Sequence, residues 1–136
     1  MESIKIDKLV KLVIVVSGGI TSYLFGGWSA MMQALTFFVV VDYVTGILAS
    51  GVEGKLSSQV GYKSIPKKLC IFLVVAVAFQ IDKLMGNGSV LRDAVGFFYC
   101  GNEAISILEN TGRMGLPVPE TLIKAIAVLK GKSGVK

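Results

Sequence analysis

The sequence lacks histidine entirely and contains only two cysteines in 136 residues. Without histidine, the most common general base and the imidazole metal ligand are both missing, so no familiar acyl-transfer triad can be built. Cys70 and Cys100 lie far apart in apolar segments, where a thiol is usually a small buried hydrophobe. Glycine-rich phosphate loops and nucleophile-elbow motifs are also missing. These absences predict a protein that is not an enzyme and that holds no cofactor or metal ion.

Charged residues are scarce too, at 17% of the chain, whereas hydrophobic residues make up 53% and the mean hydropathy is +0.70. A soluble protein of this size cannot bury so large an apolar fraction. The net charge of +5 comes from basic residues that flank apolar runs, which is typical of membrane proteins and not of a nucleic-acid-binding face. We therefore predict an all-α integral membrane protein that forms one domain over residues 1–136 and contacts the lipid bilayer.

The longest uncharged run covers 30 residues, from Leu12 to Val41. About 20 apolar residues cross a bilayer core of roughly 30 Å, so this run is too long for one span. Glycine, tryptophan and serine at positions 26–29 form a natural turn, which predicts two antiparallel membrane helices at about 9–25 and 29–50. Asp42 lies inside the second of them. Its carboxylate either lies near the cytoplasmic end, snorkelling or bonded to a neighbour, or it sets helix contacts or lines a water-filled lesion.

Two further spans are predicted at about 65–85 and 90–110. Ser64 and Pro66 form a typical helix start, with a hydroxyl cap and a proline in the first turn. Ser89 is the expected N-cap of the fourth helix, after the turn at positions 86–89. A polar stripe follows one side of that helix, which either spans with the stripe turned inward or lies on the surface with the stripe in water: Arg92, Gly96, Tyr99, Glu103, Ser106 and Asn110.

The distribution of lysines favours four spans over the alternative of three. With four spans, the lysines at the N-terminus, between the second and third spans and in the C-terminal segment all lie on one side. Because basic loops stay in the cytoplasm, both termini are predicted to be cytoplasmic. A short amphipathic helix, about Pro119–Leu129, and a basic tail complete residues 117–136; the helix either lies on the leaflet or packs on a partner.

Taken together, several groups of residues resemble the toxin-secretion and phage-lysis holin family of Gram-positive phages and clostridia. They lie in matching order over about Gly27 to Lys130, and they are Gly27-Trp28, Val41–Gly46, Lys55–Ser58 with Gly61, Lys67-Lys68, Asn102–Asn110 and Gly115–Pro119.

The resemblance implies a homo-oligomer in the cytoplasmic membrane of a bacterial host. The oligomer would open a lesion through which a cytosolic endolysin, or in some relatives a toxin, reaches the cell wall. Direct contact between the endolysin and this chain would not be required. The candidate oligomerisation or pore-lining residues are the polar and small residues of the second and fourth spans: Asp42, Tyr43, Thr45, Gly46, Arg92, Gly96, Tyr99, Asn102, Glu103 and Ser106.

Two rival functions stay open from the residues alone. A small ion channel or transporter subunit also needs polar groups inside the membrane, but it usually carries a selectivity element or broken helices. A membrane anchor would recruit its partner through the C-terminal helix. A single chain could hide its polar groups by pairing them, whereas an oligomer could expose them to water, and two such packings would form a bistable element.

Overall fold

The computed structural model describes residues 1–132 and Gly134, and every regular element in that part of the chain is an α-helix. The all-α prediction is therefore confirmed. Of the predicted basic tail, Ser133, Val135 and Lys136 lie outside the described residues. The helices, in chain order, are α1 (Glu2–Phe25), α2 (Ala30–Val52), α3 (Ser58–Met85), α4 (Val90–Arg113) and α5 (Glu120–Lys132).

Helix α4 lies at the centre of the fold, in contact with α2, α3 and α5. The core between these helices contains Met32 and Leu35 of α2, Val75 of α3 and Cys100 of α4. Among the large apolar residues of α4, only Val90 is strongly exposed within the described part of the chain. The helix with the polar stripe is thus the most enclosed of the long helices, which agrees with the inward-facing alternative.

Helix α1 is the opposite case, because its apolar side chains are almost all exposed and Phe25, at its end, is its buried residue. Its most extensive helix contact within the fold is with α3. Helices α1 and α2 are each long and apolar enough to cross a membrane. An apolar surface as continuous as that of α1 is stable in lipid and not in water. Crossing by α3 and α4, which carry charges beside their apolar stretches, stays a prediction.

The turn between α1 and α2 lies where the sequence predicted it. Gly26 ends α1 with φ of 72°, a conformation that favours glycine, and a Cβ atom there would lie 2.6 Å from the Phe79 ring. Ser29 then caps α2, because its hydroxyl accepts a hydrogen bond from the Met32 amide at 3.3 Å. The hairpin therefore depends on one residue that permits the turn and another that starts the next helix.

The predicted start of the third helix at Ser64–Pro66 is wrong, because α3 begins at Ser58 and includes Pro66. The hydroxyl of Ser64 donates to the Gly61 carbonyl at 3.1 Å and so does not act as an N-cap. A proline inside a helix removes one amide donor and crowds the carbonyl four residues earlier, which costs about 3 kcal/mol, and α3 nevertheless includes Pro66. The pattern of Ser64 and Pro66 reflects only neighbouring residues, and α3 continues through both positions.

The N-terminus of α4 is capped by Asp82, which belongs to α3. Its carboxylate accepts hydrogen bonds from the Leu91 amide at 3.0 Å and the Arg92 amide at 2.8 Å, and the residue is completely buried. Ser89 occupies the N-cap position, but its side chain makes no capping hydrogen bond. The prediction that Ser89 caps α4 is therefore wrong for its side chain, since a residue seven positions earlier reaches the same amides.

Helix α5 packs along α4 in the antiparallel direction. Ile126 is its buried residue, Lys130 lies against Gly101, and the Lys132 ammonium lies 5.8 Å from the centre of the Phe97 ring. A C-terminal helix is thus present where it was predicted, with bounds shifted by one to three residues. Its apolar face meets the chain's own central helix.

The capping role of Asp82 leads to a first prediction. Asp82→Ala leaves two buried amides of α4 without an acceptor, so we expect the free energy of unfolding to fall by about 2 kcal/mol. Ser89→Ala is the matched control and should change stability little. Thermal unfolding in detergent micelles, followed by circular dichroism, compares the two. Equal losses for both variants would show that the Asp82 carboxylate does not carry the cap.

Candidate functional site

Three charged side chains from three helices meet inside the bundle. The Lys68 Nζ lies 2.5 Å from Oδ2 of Asp42 and 2.7 Å from Oε2 of Glu103. Asp42 belongs to α2, Lys68 to α3 and Glu103 to α4, and the three side chains are between 9% and 15% exposed. We call this group the ionic triad. It joins the three helices of the bundle at one point.

The triad holds two carboxylates and one ammonium, so its formal charge is −1 when all three groups are ionised. Removing ions from water costs several kcal/mol each, and only close pairing with further hydrogen bonds offsets that cost. A lone lysine cannot neutralise both carboxylates. The triad is therefore paired but not balanced in charge.

Asn110 supplies the additional hydrogen bonds that Asp42 needs. Its Nδ2 donates to Oδ1 of Asp42 at 2.9 Å and contacts the Thr45 Oγ1 at 3.0 Å. Thr45 in turn donates to the Val41 carbonyl at 2.8 Å. A Cβ atom at Gly46 would lie 3.6 Å from the same Nδ2, an ordinary van der Waals distance, so Gly46 faces Asn110 across the contact between α2 and α4. Asp42, Thr45 and Gly46 thus form one polar contact with α4.

An ion pair at the ends of α2 and α4 continues this network. The Arg113 guanidinium donates to Glu53 at 2.7 Å and 3.1 Å and to Oδ1 of Asn110 at 3.2 Å. The hydrogen bond from Arg113 holds the pKa of the Glu53 carboxyl below its ordinary value of 4.5. The same bond raises the pKa of Arg113. Because both groups are solvated, the pair orients the helix ends more than it stabilises them.

A cavity of about 190 Å³ opens beside the triad. Residues of α2, α3 and α4 line it, among them Asp42, Ser64, Lys68 and Arg113. Its lining mixes hydroxyl, amide and charged groups, which is the kind of wall that holds water. Water can therefore approach the ionic triad from the end of the bundle where α2 and α4 finish.

Arg92 forms a second polar cluster at the opposite end of α4. Its Nη1 donates to the Phe25 carbonyl at 2.6 Å, at the end of α1, and its Nη2 donates to Asp93 at 2.8 Å. The amide of Gln80 donates to the Tyr23 carbonyl at 2.9 Å in the same region. These bonds satisfy carbonyls that the end of a helix leaves without partners. Arg92 therefore attaches α1 to the bundle and is not part of the triad.

The other candidate residues lie around these two clusters. Tyr43 is half-buried and lines cavities between α2 and α3. Gly96 packs so closely on Met31 that a Cβ atom would overlap its side chain. Tyr99 meets Phe98 edge to face, with ring centres 5.3 Å apart. Asn102 and Ser106 are half-buried on α4 outside both clusters.

Sequence reasoning missed the role of Lys68, which was counted only among the lysines between the second and third spans. Two carboxylates predicted inside helices need a nearby cation, and Lys68 is the last charged residue before the apolar stretch from Leu69 to Phe79. This need for a nearby cation was the signal in the sequence that could have identified Lys68. Asn110 was on the predicted stripe but not among the candidate residues, although its amide completes the environment of Asp42. No cluster of potential metal ligands exists within residues 1–132 and Gly134.

Known proteins with similar sequences give a functional context for the ionic triad and its surroundings. A family model described as bacteriophage holin family matches residues 19–131. An uncharacterized protein of Listeria monocytogenes is 48% identical over 128 residues, which cover 94% of this chain and 91% of the relative. An uncharacterized protein of Halalkalibacterium halodurans is 42% identical, with 92% and 96% covered. A probable holin of Bacillus phage phi105 is 30% identical, with 85% and 84% covered. No solved structure matches.

The triad leads to a second prediction, on stability. Lys68→Met keeps the length of the side chain but leaves two buried carboxylates facing each other, so we expect a loss of about 3 kcal/mol or more. Lys67→Met is the matched control, because Lys67 is the exposed neighbour on the same helix. Denaturation in detergent micelles measures both. An unchanged stability of Lys68→Met would mean that the triad does not hold the three helices together.

Proposed function

We propose a lesion-forming role for this chain, which belongs to the bacteriophage holin family. The family is not an enzyme family, and membership implies a protein of the cytoplasmic membrane. The chain would assemble into a homo-oligomer there and open a lesion that releases an endolysin, or a toxin, to the cell wall. The observation that carries this proposal is the ionic triad, in which Asp42, Lys68 and Glu103 are buried between three helices.

The ionic triad is compatible with two arrangements of the helix bundle. In a single chain, the carboxylates of Asp42 and Glu103 are hidden by sharing Lys68. In an oligomer around a water-filled opening, the same groups would be hydrated, and the excess negative charge would no longer be confined. The free energy of the two arrangements can be close, because pairing in the first is replaced by solvation in the second.

We further propose that α3 and α4 also cross the membrane, which gives four spans with both termini in the cytoplasm. The triad lies close to the middle of α2 and of α4, and Lys68 is ten residues after the start of α3. Lys55, Lys63 and Lys67 lie between the end of α2 and Lys68, which supports a cytoplasmic placement of the junction between α2 and α3. Water in the neighbouring cavity would then enter from the cytoplasm.

Helices α1 and α2 each carry two small residues four positions apart, Gly18 with Ser22 and Gly46 with Ser50, and the two pairs contribute differently to assembly. Gly46 and Ser50 of α2 are used inside the chain, because Gly46 faces Asn110 and Ser50 is buried. Gly18 of α1 faces open space, since a Cβ atom there would meet no described residue within 4 Å, and Ser22 is exposed. In the proposed oligomer, the pair on α1 is therefore available for contact between copies, as small residues four apart favour close helix packing.

Four spans lead to a third prediction, on topology. A reporter active only in the cytoplasm, fused after the C-terminal residue, should be active, and a reporter active only outside should be silent. The same pair of reporters, fused after Asn87 in the turn between α3 and α4, should give the reverse result. A cytoplasmic signal at the turn would exclude crossing by α3.

The lesion itself leads to a fourth prediction, tested by co-expression with a cytosolic muralytic enzyme in a bacterial host. We expect abrupt lysis that requires both proteins. Asp42→Asn and Glu103→Gln should each delay its onset, because either change leaves Lys68 with one carboxylate and balances the closed bundle. The double variant should lose the delay, because it leaves Lys68 with no carboxylate. Culture density over time and oligomer size after cross-linking are the measurements.

Asp7→Asn serves as the control, because Asp7 is an exposed carboxylate at the start of α1 and its change alters the net charge equally. Ion leakage without release of the enzyme would support a small channel instead. No change in permeability would support a membrane anchor. Unchanged lysis timing and oligomer size in the triad variants would refute the role assigned to Asp42 and Glu103.

A further inference from the structure

Helices α2 and α3 leave a cleft between them that opens to the surface of the bundle. They contact each other less extensively than either contacts α4. Two cavities of about 380 Å³ and 210 Å³ lie between them, and both are lined by Tyr43 and Ile65, so they adjoin. We call the two cavities together the α2–α3 cleft. Lys68 also lines the cleft, but its ammonium is already bound to Asp42 and Glu103.

The walls of the cleft change in character along its length. Near the loop between α2 and α3, residues that bear hydroxyl groups stand among the apolar ones, and they are Ser57, Ser58 and Tyr62. Farther along α3 the walls are aliphatic and aromatic, and they include Val39, Val40, Leu69 and Phe72. A ligand that suits both ends therefore has a polar group joined to an apolar chain.

The length of the cleft matches one leaflet of a membrane. Ser58 and Phe72 are fourteen residues apart on α3, which corresponds to about 21 Å along the helix. Half of a bilayer, with its headgroup region, is about 20–22 Å thick. The proposed crossing of α3 places its start at the cytoplasmic surface. The hydroxyl-bearing end of the cleft then lies at headgroup depth, and the apolar end lies within the hydrocarbon.

The charge around the headgroup end of the cleft is positive. From position 43 to position 81 the sequence contains one carboxylate, that of Glu53, and four lysines. Glu53 is bound by Arg113 at 2.7 Å, and its contact with Lys55 is longer, at 3.6 Å. Lys55 and Lys63 are exposed and directly adjoin cleft-lining residues in the chain. This surplus of lysines attracts the negative charge of a lipid phosphate, whereas a zwitterionic headgroup would bring its own cation among them.

We propose that the α2–α3 cleft binds one anionic glycerophospholipid of the cytoplasmic leaflet. Its phosphate lies at Ser57 and Ser58, and one acyl chain lies between Val40, Leu69 and Phe72. The chain fills space that neither helix fills and so restores dispersion contacts along the open side of the bundle. Any lipid supplies a chain, whereas the hydroxyl groups and lysines select a negative headgroup. The inference rests on the crossing of α3 given under the proposed function, and it adds a ligand to the bundle.

The fifth prediction uses one tryptophan as a reporter of the lipid beside it. In a Trp28→Phe background, Leu69→Trp places the reporter in the cleft, and Val15→Trp places it on α1 at a residue that is 71% exposed. Each full-length variant is reconstituted into vesicles of phosphatidylglycerol and phosphatidylcholine, mixed over a range of ratios, with bromine on the chains of one of the two lipids. Fluorescence quenching should show a preference for phosphatidylglycerol of about tenfold at position 69 and of less than about twofold at position 15.

A pair of charge variants tests the headgroup end. Lys55→Gln combined with Lys63→Gln should lower the preference at position 69 by about tenfold, to that of the reporter on α1. Lys5→Gln combined with Lys8→Gln is the matched control, because it removes two exposed lysines from the start of α1 and lowers the net charge equally. The control should keep the preference. Circular dichroism establishes that every variant keeps its helices.

Three results would overturn the lipid site. Equal quenching by both lipids at position 69 would mean that bulk lipid fills the cleft. No quenching by either lipid would mean that water or a protein segment fills it. Equal losses of preference in the two charge variants would mean that the preference follows the net charge of the chain and not the cleft.

The lipid site and the proposed function fail independently, because quenching requires neither an oligomer nor the release of an enzyme. Lysis on co-expression without a lipid preference at position 69 would refute the lipid site and leave the lesion-forming role. A lipid preference without lysis would refute the lesion-forming role and leave the lipid site.

Discussion

The structure depends on one constraint: charged side chains inside a lipid-facing bundle must find partners within the chain. Asp42, Lys68 and Glu103 meet this constraint together, each from a different helix. Because no helix contains a complete set of partners, none of α2, α3 and α4 is satisfied alone. Ionic pairing therefore specifies the helix arrangement, while apolar packing around Met32, Leu35 and Val75 fills the space between the helices.

The same constraint explains why the most polar long helix is in the centre. At one end, α4 brings Glu103, Asn110 and Arg113 to the ends of α2 and α3. At the other end, its first amides bind Asp82 and Arg92 holds the last carbonyl of α1. An apolar helix at the centre would leave these groups without partners. Helix α1 is attached at this second cluster and along α3, away from the triad.

Much of the fold was predictable from local chemistry, and the failures have a common cause. The uncharged run, the turn at Gly26 and the polar stripe of α4 are signals within one segment, and the helices and turn they predict are present. Ser64, Ser89 and Lys68 were misjudged because their roles depend on other helices. Asp82 reaches the amides assigned to Ser89, and Lys68 finds carboxylates 26 and 35 residues away. The residue type shows that a polar group is present, but only the packing of the helices identifies its partner.

Helix α4 has two chemically different sides. Glu103 faces the charged partners on α2 and α3, while the adjacent Ala104 lies beside α5. In the proposed lesion, the charged side is the one that would gain from water, because solvation would replace the pairing of two carboxylates with one lysine. The apolar side would gain nothing from water and would stay packed against helices. The distribution of polar groups around α4 therefore determines which of its sides can turn toward a water-filled opening.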